Sequence, residues 1–127
     1  MQVGADRIRE VVLSLRNFSR LDEAQKKPVD IHSGIDSTLL ILQNRLKAKA
    51  GRPGIEVTKE YGDLPLVPCY AGQLNQVFMN ILANAIDAIE EEMANRKSNR
   101  IPQICICTEL FDQQWIVIRI ADNGLGM

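Results

Sequence analysis

The sequence predicts an α+β chain in which amphipathic helices cover one side of a small sheet. Three observations carry that reading. Leu74–Glu91 (LNQVFMNILANAIDAIEE) has helical periodicity, Ile31–Lys49 repeats it more weakly, and the last third alternates in steps of two before ending in a glycine-rich turn. Length and composition agree with a single domain, or a domain with one attached element. The chain has 127 residues, 46% of them hydrophobic and 24% charged, with a formal net charge of −1. That balance provides no basic field for nucleic acid. No apolar run approaches the roughly 20 residues that span a bilayer, and the N-terminus has no secretory pattern.

In chain order, Gly4–Asp22 reads as a first helix, with Ile8, Val11, Leu15 and Phe18 in the three-and-four spacing of a seam between packed helices. Arg7, Arg9, Arg16 and Arg20 are left for solvent or for a docking partner. Glu23–Asp30 is polar and carries Pro28, which suits a linker. Asp30 can cap a second helix over Ile31–Lys49, closed by the stop signal Ala50-Gly51-Arg52-Pro53-Gly54. Ile55–Tyr61 alternates as a strand, and Gly62–Pro68 is a loop punctuated by Pro65 and Pro68. The central helix runs from about Ala71 to Ala94, followed by the charged loop Asn95–Arg100. Gln103–Leu110 and Trp115–Ala121 then form a hairpin.

Cys69, Cys105 and Cys107 have no metal-like spacing. Cys105 and Cys107 share one face of a strand and read as small core hydrophobes, reduced in a cytoplasmic protein. The single histidine, His32, reads as a packing or surface residue.

The central helix is unusual in its polar side. Leu74, Val77, Phe78, Ile81, Leu82, Ala85 and Ile89 gather on one face, while Gln73, Gln76, Asn80, Asn84, Asp87 and Glu91 form a stripe on the other. Asn is a mediocre helix former because its amide competes for backbone hydrogen bonds. Two Asn one turn apart, then Asp87, look like oxygen ligands in a row. About forty residues further on, a strand runs into Asp122-Asn123-Gly124-Leu125-Gly126-Met127. A carboxylate there can accept from an exocyclic amine, and spaced glycines let backbone approach a flat ligand. Taken alone, the same DNG is an ordinary turn.

Together these motifs resemble the sensor histidine kinases. Gln76–Ala88 (QVFMNILANAIDA) looks like their N box, and Asp122–Met127 (DNGLGM) looks like the first glycine box of the ATP-binding fold shared with Hsp90 and gyrase-type proteins. Arg7–Asp22 is similar to the second helix of the dimerisation and histidine-phosphotransfer domain, and Ile31–Lys49 to the first helix of the catalytic domain. The resemblance implies a division at residues 1–27 and 28–127. The first part would be one helix of a dimeric bundle plus linker. The second would be the N-terminal part of a two-layer ATP-binding sandwich, cut after the first glycine box.

The resemblance also implies ATP and Mg²⁺ as cofactors, with Asn84 and Asn80 at the metal. Asp122 would take the adenine amino group, Gly124 and Gly126 would shape the loop, and Asp87 would lie near the nucleotide. It implies transfer of a phosphoryl group to a histidine and then to a response regulator receiver domain, by a homodimeric parent anchored, if at all, upstream. A neutral amide cannot act as general base, so Asn80 favours a kinase over the ATP-hydrolysing branch, where the family has Glu. The alternatives are an ATPase or ATP-gated module of the same superfamily, or a non-catalytic dimerisation and docking unit. No acceptor histidine motif and no second glycine box lie within the chain, so it is expected to carry part of a site and to be inactive by itself.

Overall fold

The computed structural model describes residues 7–15, 27–48, 53–96 and 101–122, with the side chains of residues 94–96 outside the description. Among the described residues, six strands and three helices follow in the order β1 (Arg7–Ser14), β2 (Lys27–Val29), α1 (Ile31–Ile41), α2 (Gln43–Leu46), β3 (Glu56–Glu60), β4 (Val67–Cys69), α3 (Ala71–Arg96), β5 (Gln103–Phe111) and β6 (Trp115–Asp122). The class is α+β. A four-stranded sheet has the order β1-β6-β5-β3, and β2 and β4 form a separate two-stranded ribbon. The β1–β6 and β5–β6 pairs are antiparallel, and β3 joins β5 in parallel.

The sheet's inner face is a run of isoleucines. Ile104 and Ile106 of β5 and Ile116, Ile118 and Ile120 of β6 are all at most 2% exposed. Branched side chains suit a pleated surface that is covered on one side. Against them lie Phe78, Leu82, Ile86 and Ile89 of α3 with Ile31 and Ile35 of α1, every one essentially buried. Asp30 caps α1 as the sequence suggests, accepting from the amides of His32 at 3.0 Å and Ser33 at 3.4 Å. The helix expected over Ile31–Lys49 is broken at Leu42, whose backbone leaves the helical region and starts the short α2. The helix expected over Ala71–Ala94 is observed as α3.

The hairpin also forms as expected, and its turn is unusual. Asp112 and Gln113 both have positive φ, 55° and 59°, while the Gln114 amide donates to the Phe111 carbonyl at 3.1 Å. Consecutive left-handed residues make the mirror-image turn whose twist matches that of the strands.

Two expectations fail. Arg7–Ser14 is a strand, where helical spacing over Gly4–Asp22 suggested one helix of a bundle; residues 16–26 lie outside the description. The same residues satisfy both periods: Val11, Leu13 and Leu15 alternate in steps of two and pack against the core. The free edge of β6 offers eight paired positions, from Arg7↔Asp122 to Ser14↔Trp115, whereas a helix of that spacing finds no partner helix among the described residues. Second, Cys105 and Cys107 are not core residues. They alternate with buried Ile104 and Ile106, so they lie half-exposed on the sheet's outer face. The ribbon is a smaller surprise: Pro28 and Pro68 sit opposite each other in β2 and β4, segments expected as linker and loop. Three-residue strands with Pro carry almost no strand signal.

His32 does pack. Its ring stacks on Tyr61 with centroids 4.0 Å apart and planes within 6°, and its Nε2 lies 2.8 Å from Thr108 Oγ1. Tyr61 donates to Asp36 at 2.8 Å, and Lys59 Nζ donates to the same oxygen at 2.8 Å. The Lys59 ammonium holds the Asp36 carboxyl below its ordinary range. Burial, then the Asp36 hydrogen bond, raises the Tyr61 phenol. Among the described residues, no helix is long and apolar enough to cross a membrane.

Candidate functional site

The polar stripe of α3 is real and faces outward. Gln73, Gln76, Asn80, Asn84, Asp87 and Glu91 are all exposed, and Leu74, Phe78, Leu82, Ala85 and Ile89 are all buried. The core fixes the helix's rotation, so it also fixes the direction of the two asparagines. Val77 departs from its expected place, being 39% exposed.

Within the stripe, Gln76 Nε2 donates to Asn80 Oδ1 at 3.2 Å, an interaction of neighbours one turn apart. Asn84 forms no side-chain hydrogen bond among the described residues. Asp87 is held from outside the helix: Arg45 of α2 donates to Asp87 Oδ1 at 2.6 Å and to Glu90 Oε1 at 2.9 Å. Those acceptors, Asp87 foremost, raise the Arg45 guanidinium above its ordinary range. Arg45 thus occupies one end of the stripe and leaves the Asn80–Asn84 stretch open.

Asp122 is the last residue of β6 and shares the inner face with Ile116, Ile118 and Ile120. It is 6% exposed. A buried carboxylate needs a partner, and Arg7 of β1 supplies one, donating from Nε at 3.0 Å and Nη2 at 2.8 Å, both to Oδ1. No described residue bonds to Oδ2. Gly124 and Gly126 lie outside the described residues. The structure places Asn80, Asn84 and Asp87 on one exposed stripe of α3, and Asp122 at the buried end of β6.

Sequence reasoning missed Arg7, which it assigned to solvent on a helix, and Arg45. An alternation count over residues 7–15 would have found the first, since it puts Arg7 on the same face as Val11 and Leu13. A cleft of about 410 Å³ lies beside the start of α3, lined by Leu13, Val67, Tyr70, Gln73, Leu74 and Val77 among others. It meets the stripe at Gln73. Neither asparagine nor Asp122 lines it.

Comparison with known proteins gives distant relatives. The chain is 34% identical over 85 residues to the sensory histidine kinase/phosphatase NtrB of Rhizobium leguminosarum bv. phaseoli, covering 66% of this chain and 21% of that protein. It is 30% identical over 83 residues to sporulation kinase E of Bacillus subtilis (strain 168), covering 65% of this chain and 10% of that protein. Over 126 residues, 98% of this chain and 15% of the relative, it is 29% identical to the phytochrome-like protein Cph1 of Synechocystis sp. (strain ATCC 27184 / PCC 6803 / Kazusa). The chain's distant relatives include a histidine kinase. It spans about a tenth to a fifth of the length of these proteins. No protein-family model matches the chain, and no solved structure matches it.

Proposed function

We propose that the chain forms part of the Mg-ATP site of a protein-histidine kinase in two-component signalling. The observation that carries this reading is the exposed Asn80–Asn84 pair on a helix whose other face is locked into the core. Solvation alone does not call for asparagine there.

The donor set fits the cofactors. Mg²⁺ takes a few protein oxygens and keeps several waters, which suits two neutral amide oxygens at an open surface. Asn84 and Asn80 would hold the metal, and Asp122 would accept from adenine through Oδ2. Asp87, tied to Arg45, would border the phosphates, with Gly124 and Gly126 beyond the buried carboxylate. Bound Mg-ATP supplies the phosphoryl group and the charge neutralisation its transfer needs. The chain's residues position it, and Asn80 lacks the basicity to activate water for hydrolysis. On this reading the parent is a homodimer that phosphorylates itself and passes the group to a response regulator receiver domain. The distant likeness to NtrB supports the kinase reading at the level of class.

The test is autophosphorylation of the parent protein with Mg-ATP. Acid-labile, base-stable label that disappears with Asn84→Ala is expected. Steady phosphate release with no phosphohistidine would overturn the reading in favour of a hydrolase.

A further inference from the structure

The outer face of the sheet carries a cluster that the nucleotide site does not use. Cys105 and Cys107 sit two residues apart on β5, and Glu60 ends the neighbouring strand β3, directly opposite Cys107 in the parallel register. The two sulfurs are 3.5 Å apart, Cys107 Sγ is 3.4 Å from Glu60 Oε1, and the ligand atoms of all three residues lie within 4.8 Å of one another. Both cysteines are half-buried and Glu60 is exposed, so the cluster is open to solvent on one side.

We propose that Glu60, Cys105 and Cys107 form a binding site for a borderline-soft divalent cation of the zinc class, with water completing a tetrahedron.

The distances suit that ion. Two thiolates each 2.3 Å from a tetrahedral zinc are about 3.8 Å apart, and a thiolate and a carboxylate oxygen about 3.5 Å apart. The sulfur pair and the Cys107–Glu60 pair are therefore within a few tenths of an ångström of the bound arrangement. Only the Cys105–Glu60 approach has to tighten, which rotation of an exposed glutamate supplies. A disulfide suits the geometry less well, because residues two apart on an extended strand approach the upper limit of Cα separation that a disulfide spans. Thiolates also select this class of metal over Mg²⁺ or Ca²⁺, which prefer oxygen.

Binding exchanges protons for metal. Each cysteine thiol loses its proton to solvent as its sulfur lone pair bonds the cation, and the glutamate binds through a carboxylate oxygen. The bound ion would tie β3, an edge strand of this sheet, to its parallel neighbour β5. The site is thus a clamp on the sheet, separate from the α3 stripe.

The test uses the chain reduced with a phosphine and titrated with Zn²⁺ alone against a chromophoric chelator, with Cd²⁺ absorbance reporting thiolate bonds. Expected are one ion per chain, about two protons released at pH 7, and a rise in thermal midpoint with free zinc. Cys107→Ser should abolish the thiolate absorbance. Glu60→Gln, a near-isosteric change at an exposed position, should weaken binding by at least about tenfold. No saturable uptake by the reduced chain overturns the site. So does uptake that survives Cys105→Ser/Cys107→Ser in a variant whose circular dichroism is unchanged, or uptake lost with Cys69→Ser alone.

Discussion

Arg7 holds Asp122 across the β1–β6 pair, its Nε and Nη2 both donating to one carboxylate oxygen at 3.0 and 2.8 Å. The carboxylate is buried, while the Arg7 side chain is 39% exposed. The bond therefore matters chiefly because its loss leaves a buried charge unpartnered. Arg7→Ala should lower stability by about 1–2 kcal/mol, less than for a fully buried pair because solvent can reach the arginine. Urea denaturation checks this, with Asp122→Asn completing a double-mutant cycle. Additive effects of the two changes would show that the pair is not coupled.

Asn84 separates stability from binding. It is exposed and makes no side-chain bond among the described residues, so Asn84→Ala should raise helix stability by about half a kcal/mol. The same change should cost the parent protein at least tenfold in Mg-ATP affinity, about 1.4 kcal/mol. Calorimetry and thermal melting of one variant read both quantities. Unchanged Mg-ATP affinity would remove Asn84 from the proposed metal site.

The hairpin turn can be improved. Gln113 sits at φ 59°, where a side chain is strained by about 1 kcal/mol and glycine is not. Gln113→Gly should raise the denaturation midpoint by a matching amount, since its position at the turn outweighs the added freedom of the unfolded chain. A lower midpoint would mean that the left-handed turn is not populated in solution.

Asp36 predicts a pH dependence. Its folded-state carboxyl is depressed, first by the Lys59 hydrogen bond, so the folded chain holds fewer protons than the unfolded chain in the acid range. The stabilisation is complete above the ordinary value of 3.8 and is lost as pH falls through the lower folded value. Comparing wild type with Asp36→Asn by urea denaturation should show a gap at neutral pH that closes in acid. A gap independent of pH would assign the effect to packing of Tyr61 instead.

How legible each element was depends on how many periods its residues satisfy. For α3, Phe78, Leu82, Ala85 and Ile89 fit only the helical period, and the exposed Asn80 and Asn84 follow from that rotation alone. Ile116, Ile118 and Ile120 are equally unambiguous as a strand. Ile8, Val11, Val12 and Leu15 fit a helix as well as Val11, Leu13 and Leu15 fit a strand, and the pairing partner that decides between them lies over a hundred residues away. Of the candidate site, the direction of the asparagines was readable. The Arg7–Asp122 and Arg45–Asp87 bonds were not, because each joins residues brought together only by tertiary packing. The cysteine cluster escaped notice for the same reason: its third member is on another strand.

The β1–β6 pairing also has a kinetic consequence. The β5–β6 hairpin can close through local contacts, but Arg7 and Asp122 are 115 positions apart, so β1 can join only after nearly all the intervening chain has been synthesised. Closing so large a loop is entropically slow. Once β6 is made and before β1 docks, β6 presents an unpaired edge, and this open intermediate is where association with another chain would compete with completing the sheet.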